Sequence, residues 1–194
     1  MALNTLHEFM ADITSGGKFA RQYNYKVSFT TPSGVEGPTR DQLMRCESIA
    51  FPGQNIETSP DTIRVGPLRS HAFGVNYGPV NATFLCDEEL SERRLFENWH
   101  RIIFEPGTFK VGYYKSYVTD MTIDQYNDKD EQTYSMVLRE VFPKNITELA
   151  LSTITGELHK ISVELIYHHW EPIQVVGRAV VVGPKPGWLG GGEI

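Results

Sequence analysis

The chain has 194 residues, 40% of them hydrophobic, with 24 acidic against 18 basic side chains and a net charge of -6. Length and apolar content suit one domain with a sizeable core. No stretch approaches the roughly 18 consecutive apolar residues of a membrane span, the N-terminus lacks a basic region followed by an apolar run, and no Lys/Arg cluster forms a face for gripping phosphates, so a soluble, unsecreted protein without tight nucleic-acid binding is expected.

In chain order, residues 2–14 place Leu3, Leu6, Phe9, Met10 and Ile13 at helical spacings and end at Gly16-Gly17, a short helix in need of a partner surface. Residues 22–29 alternate strictly, with Tyr23, Tyr25, Val27 and Phe29 on one face of a strand and polar residues on the other. The Pro, Gly and polar residues of 31–42 predict a long loop before a second strand through Leu43 to Phe51, which Pro52-Gly53 ends. Residues 54–77, broken by Pro60, Gly66-Pro67 and Gly74, read as an irregular excursion with small strands, and strand character resumes from Val80 to Cys86.

The best helix follows, with Asp87 as its expected N-cap. Glu88, Glu89 and Glu92 sit early, Arg93, Arg94 and Arg101 later, and Leu95, Phe96, Trp99, Ile102 and Ile103 form its apolar stripe. Glu105-Pro106-Gly107 should stop it. Two strands, 116–126 and 133–142, flank a charged turn over Asn127 to Glu131, a helical turn is expected from Asn145 to Leu151, and a last strand spans 160–170. Several strands have one apolar and one polar face, so the fold is read as mainly β with one principal helix, its antiparallel sheet wet on one side. The organisation expected is an N-terminal helical segment (1–14), a β domain (15–171) and a C-terminal extension (172–194), the last either an arm for another subunit's edge or a final edge strand with a tail.

Catalytic signals weaken on inspection. Cys46 and Cys86 have no CxxC spacing and read as buried reduced thiols; the sequons at Asn81 and Asn145 lack a secretory route. His7-Glu8 lacks the second histidine of HExxH because residue 11 is alanine, and His168 and His169, consecutive in a strand, should point to opposite faces. No GxSxG, Walker or GxGxxG motif is present, and Asp120 and Asp124 read as a solvated strand face. A metal-dependent enzyme using His100, His168 or His169 remains an alternative with little support. No cofactor, metal or catalytic residue is expected.

Several segments resemble the tail tube proteins of contractile-tailed bacteriophages. They are Ser15-Gly16 with Phe19-Ala20-Arg21 and Tyr25, Cys46 with Ala50-Phe51-Pro52, Cys86-Asp87-Glu88 with Arg94, Phe96 and Trp99, and "VFPKNITELAL" (Pro143, Asn145, Glu148) followed by the strand that ends in Trp170-Glu171. These anchors span about residues 9–171 in order; residues 31–42, 54–79 and 172–194 depart from the pattern. The resemblance implies a small antiparallel β-barrel or sandwich flanked by a helix. Six copies would form a ring, and stacked rings the inner tube of a contractile tail, a structural virion part assembled in the host cytoplasm. Implied partners are further copies of the chain, sheath, tape-measure protein, baseplate or tube initiator and tail terminator, with DNA crossing the lumen unbound and no membrane involved. Asp120, Asp124 and Glu164 are candidates for an acidic lumen face that keeps DNA from adhering. A tube initiator or distal tube ring, and less so an injection-system or type VI secretion ring, are the alternatives.

Overall fold

The computed structural model describes residues 20–61, 66–151, 156, 158–176 and 179–182, with side chains through Ile173. The expected N-terminal helix and Phe19 lie outside the described residues.

Two antiparallel sheets share one long strand. The first is ordered β1 (Tyr25–Phe29), β8 (Thr119–Tyr126), β9 (Gln132–Ile146), β11 (His169–Val176), β12 (Ala179–Val182). The second is ordered β2 (Cys46–Ile49), β5 (Val80–Leu85), β10 (Lys160–Ile166), and again β9, through its last residues. The result is sandwich-like and not a closed barrel. β10 and β11 together run antiparallel beside β9, and this two-stranded ribbon turns the corner from one sheet to the other.

The corner has a local cause. Met121 faces Leu138 and Thr119 faces Val141, so Asp120 alone opposes both Arg139 and Glu140, a β-bulge that bends the strand. Glu140 accordingly has φ 57°, in the left-handed region. Asp120 holds the bulge: its carboxylate accepts from the Arg139 guanidinium at 2.6 Å and from the Glu140 amide at 3.3 Å. Across the ribbon the chain leaves the strand at Tyr167 and His168, and the His168 amide donates to the Arg139 carbonyl at 2.9 Å.

The core lies between the sheets, built from the alternating residues of each strand. Val27 and Phe29 of β1 and Met121 and Ile123 of β8 face Val80, Ala82 and Phe84 of β5 and Ile161, Val163 and Leu165 of β10, all buried. Helix α2 (Ser91–Ile103) closes the space, burying Glu92, Leu95, Phe96 and Trp99 at i, i+3, i+4, i+7 spacing. Phe29, from one sheet, stacks on Phe96 and Trp99 at centroid distances of 6.1 and 6.2 Å, while Phe84, from the other, meets Phe96 at 5.4 Å. The Trp99 indole N–H donates to the Tyr117 carbonyl at 2.8 Å, which removes the cost of burying it.

Several elements differ from the sequence reading. Residues 40–44 form a short helix, α1 (Arg40–Met44), because Thr39 and Gln42 make a reciprocal capping box, so β2 starts only at Cys46. Within residues 54–77, β3 (Gln54–Pro60) pairs with β4 (Ser70–Tyr77) as a sheet of its own, longer strands than expected, with one register shift at Glu57/Thr58 next to Gly74. The principal helix begins at Ser91 with Leu90, φ 55°, at its N-cap position, because Glu88 and Glu89 form a turn. Asp87 still caps it from outside, accepting from the Ser91 amide at 2.7 Å and hydroxyl at 2.6 Å. Tyr114–Tyr117 is a helical turn, α3, which takes the first two residues of the strand expected over 116–126, so β8 starts at Thr119. Pairing with β10 keeps 145–146 in β9, and the residues after it through Leu151 form no helix. The tight pair β6 (Phe104–Glu105) and β7 (Lys110–Val111) follows α2.

The hairpin between β8 and β9 has the turn expected for Asn127 to Glu131: the Asn127 Oδ1 accepts from the Lys129 and Glu131 amides at 2.9 Å. Beyond Glu171 the chain does not leave the sheet. β11 runs through Pro172 to Val176, and β12 folds back on it.

Candidate assembly surfaces

Three surfaces remain without a partner inside the described molecule. The first is the pair of outer strands, β1 and β12. Among the described residues each is hydrogen-bonded on one side only, to β8 and to β11 respectively, and presents a row of backbone N–H and C=O groups on the other. Beside β1, a cavity of about 590 Å³ is lined by Tyr25, Val27, Leu43, Met44 and Cys46. Burial pushes the Cys46 thiol up to about 12, so it is an unreactive thiol at neutral pH; Tyr25 donates to the Cys46 carbonyl at 2.9 Å.

The second surface is apolar. The β3–β4 hairpin exposes Ile56, Phe73 and Val75, and the segment after α2 exposes Phe104, Phe109, Val111 and Tyr113, the last 90% accessible. Phe109 is held at φ 56°, an uncommon conformation for an aromatic residue. Gly112 permits the fold there: a Cβ would lie 2.5 Å from the Ile102 carbonyl oxygen.

The third is the outward face of the first sheet, where register places Lys26, Ser28, Thr122, Asp124 and Glu171 opposite the core; Ser135 and Val137 of β9 lie on that face too but are buried. Asp124 and Asp120 both belong to β8, and neither is a bare charge. Asp124 accepts from Gln132 at 2.7 Å and Ser135 at 2.5 Å, and Lys26 is its register partner. Asp120 is engaged by Arg139, which also donates to Glu171 at 3.1 Å. Glu164 lies apart, on β10 of the second sheet, paired with Lys144 at 3.1 Å. The three carboxylates picked from the sequence therefore divide between two sheets; Asp120 and Glu164 are paired with cations, and Asp124 is held by the neutral donors Gln132 and Ser135.

The motif residues are framework. Trp99 and Pro143 are buried; Trp170 is half-buried on β11, edge-on to Tyr77 at 6.4 Å. Cys46 opens β2, Pro52 follows it, and Asn145 stands opposite Glu164. Arg21 is exposed, its carbonyl accepting from Gln125 at 2.6 Å, and Glu148 is exposed beyond β9. The residues that sequence reasoning missed are Arg45 and Glu92. Glu92 is 2% accessible, with Arg45 at 2.6 Å and the Asp87 amide at 3.0 Å, a clasp joining α1, α2 and β5's end. An acidic residue within the apolar stripe's i, i+3, i+4 pattern was the available signal.

The histidine pair corrects an expectation. His168 lies at the corner, outside either strand, so alternation does not separate it from His169: their Nδ1 atoms are 2.8 Å apart. The Glu171 carboxylate lies 3.5 Å from His169 Nε2. Among the described residues, no group of three or more His, Cys, Asp or Glu is placed to hold a metal. No described helix is long and apolar enough to cross a membrane.

Open sheet edges and exposed apolar projections suit a chain that assembles with others. Comparison with curated proteins finds no match. Among solved structures, the chain is similar to a chain of the anti-feeding prophage baseplate (TM-score 0.63, 14% identity, 82% of this chain and 98% of that one). It is also similar to chains in two structures of an extracellular contractile injection system. One is a sheath-tube complex (0.58, 15% identity, 83% and 95%) and the other a sheath/tube terminator (0.59, 13%, 78% and 94%). A family model described as phage tail tube protein matches residues 20–172. The chain belongs to the phage tail tube protein family, and is a structural tube subunit.

Proposed function

We propose that this protein is the tube subunit of a contractile phage tail, with no catalytic role: six copies close into a ring by joining β12 of one copy to β1 of the next, and rings stack into the conduit for genome ejection. The observation that carries the reading is a five-stranded sheet with one buried apolar face and two different open edges. Two unlike edges make a heterologous contact, which closes into a ring when each copy is rotated by a constant angle. β1 and β12 both run alongside β9 in its direction, so the joint is parallel. Closure leaves the polar face of that sheet as a continuous wall.

On this reading the lumen presents Asp120 engaged by Arg139 and Asp124 by Gln132 and Ser135, with Lys26 opposite Asp124 in register. The wall is nearly balanced in charge, which gives passing DNA few unpaired cations to grip. The tape-measure protein occupies the same lumen, the sheath surrounds the ring, and an initiator and a terminator cap the tube. A specialised ring at a tail end is the second reading, favoured by similarity to a baseplate chain and to a tube-terminator structure; a copy number of one ring per virion would select it.

Electron microscopy of the purified protein at high concentration, alone and with a baseplate template, is expected to show rings or hollow tubes. Val180→Pro and Val181→Pro, which cover both alternating hydrogen-bonding positions of β12, are expected to abolish them for at least one variant while circular dichroism stays unchanged. A wild-type protein that stays monomeric on the template, or two proline variants that assemble normally, would overturn the edge-to-edge ring.

A further inference from the structure

A cleft of about 400 Å³ opens where α2 ends, lined by His100, Arg101, Ile103, Phe104, Pro106, Phe142, Pro143 and Lys144. Its apolar wall of two phenylalanines and two prolines suits a flat aromatic side chain. Arg101 also lines the adjoining cleft with Lys110, and among the described residues neither has a carboxylate partner. The site therefore asks for an aromatic anchor with an acidic group nearby.

Residues 183–194, "GPKPGWLGGGEI", carry such a set: Trp188 and Leu189, then three glycines, then Glu193. Their route follows from register. Val182 faces Ile173, which faces Ser135, and β12 advances in the direction of β9, toward Phe142. The level of Val141 and Phe142 lies seven register positions past that of Val182, roughly 23 Å at about 3.3 Å per residue, within the reach of the seven residues that end at Leu189.

The molecule also decides which copy is met. Along the chain's own path, β5 occupies the place beside β10, as Val80 facing Leu165 shows, and the cleft lies beyond β9 where β8 has ended at Thr119. On its own subunit β5 therefore occupies the line of β12 past Val182. On the side of β9 that carries β8 and β1, strand pairing stops at Thr119 opposite Val141, so among the described residues Phe142, Pro143 and Lys144 of the cleft have no strand partner there.

We infer that the C-terminal segment of each subunit crosses to the adjacent copy and seats Trp188 in the Phe104/Pro106/Phe142/Pro143 cleft, with Glu193 meeting Arg101 and Lys110. This rests on the ring proposed above. It makes the segment a latch that adds to the edge-to-edge joint, and the tether raises its effective concentration.

The test uses the full-length protein carrying Trp188→Cys with Pro106→Cys, oxidised after assembly. A reducible ladder from dimer to hexamer is expected, absent from either single variant. Trp188→Ala is expected to raise the concentration needed for assembly at least tenfold without lowering the melting temperature of the unassembled subunit. A crosslink confined within one chain, no crosslink in assembled rings, an unchanged assembly threshold, or a lower subunit melting temperature would overturn the latch while leaving the tube reading intact. Failure of the wild type to form rings on the template would overturn both.

Discussion

Asp87 illustrates how one side chain organises a junction. It sits where β5 hands over to α2, its carboxylate taking the Ser91 hydroxyl and amide while its own amide reaches Glu92. Hydrogen bonds from Ser91, helped by Arg45, lower its pKa from 3.8 to about 2. A carboxyl whose folded pKa lies below its unfolded one stabilises the protein above the unfolded value and loses that contribution as pH falls through the folded value. Asp87→Asn is therefore expected to melt below wild type at pH 6, with the gap closing between about pH 4 and pH 2. Thermal melts across that range check it; a gap independent of pH would assign the effect to packing. The sequence marked Asp87 as a helix cap by type and place. It did not show Glu92 buried with Arg45, because the two are 47 residues apart in the chain.

At the scale of elements, the corner in β9 sets the shape of the molecule. Fifteen residues serve two sheets because Asp120 faces both Arg139 and Glu140, and Glu140 accepts the left-handed backbone this requires. Glu140→Val, a β-branched residue at φ 57°, is expected to cost about 1–3 kcal/mol in urea unfolding. Glu140→Gly should stay within about 1 kcal/mol of wild type, since glycine adopts that conformation freely while losing the Tyr114 hydrogen bond at 2.9 Å. Equal losses for both would mean that the carboxylate, not the backbone, matters. Alternation in the sequence located β1, β5, β8 and β10 well, since a strand buried on one face must alternate. It also predicted one unbroken strand through His168 and His169, because a bend imposed by a bulge on the neighbouring strand leaves no mark in the bent segment itself.

For the whole molecule, the division between folding and assembly is spatial. The β3–β4 hairpin forms its own sheet and exposes Ile56, Phe73 and Val75, while the core lies between the two main sheets and α2. Replacing residues 55–75 by a short turn, which keeps Tyr77 against Tyr167 and Trp170, is expected to change the free energy of unfolding by less than about 2 kcal/mol, far less than removing a buried Trp or Phe, which costs about 3–5 kcal/mol. The same replacement should impair stacking of rings, read by microscopy as isolated rings in place of tubes. Tubes of normal length would show that the hairpin's apolar face serves something other than stacking.

The sequence by itself determined the class of the fold, the principal helix, most strands and the family, because these rest on local periodicity and on motifs within one segment. Tertiary structure decided the rest: the pairing of β3 with β4 within 54–77, the capped helix at 40–44, the contact between His168 and His169, and the division of Asp120, Asp124 and Glu164 between two sheets. Each depends on which backbone lies alongside, and pairing across a sheet is a property of two distant segments that neither carries alone.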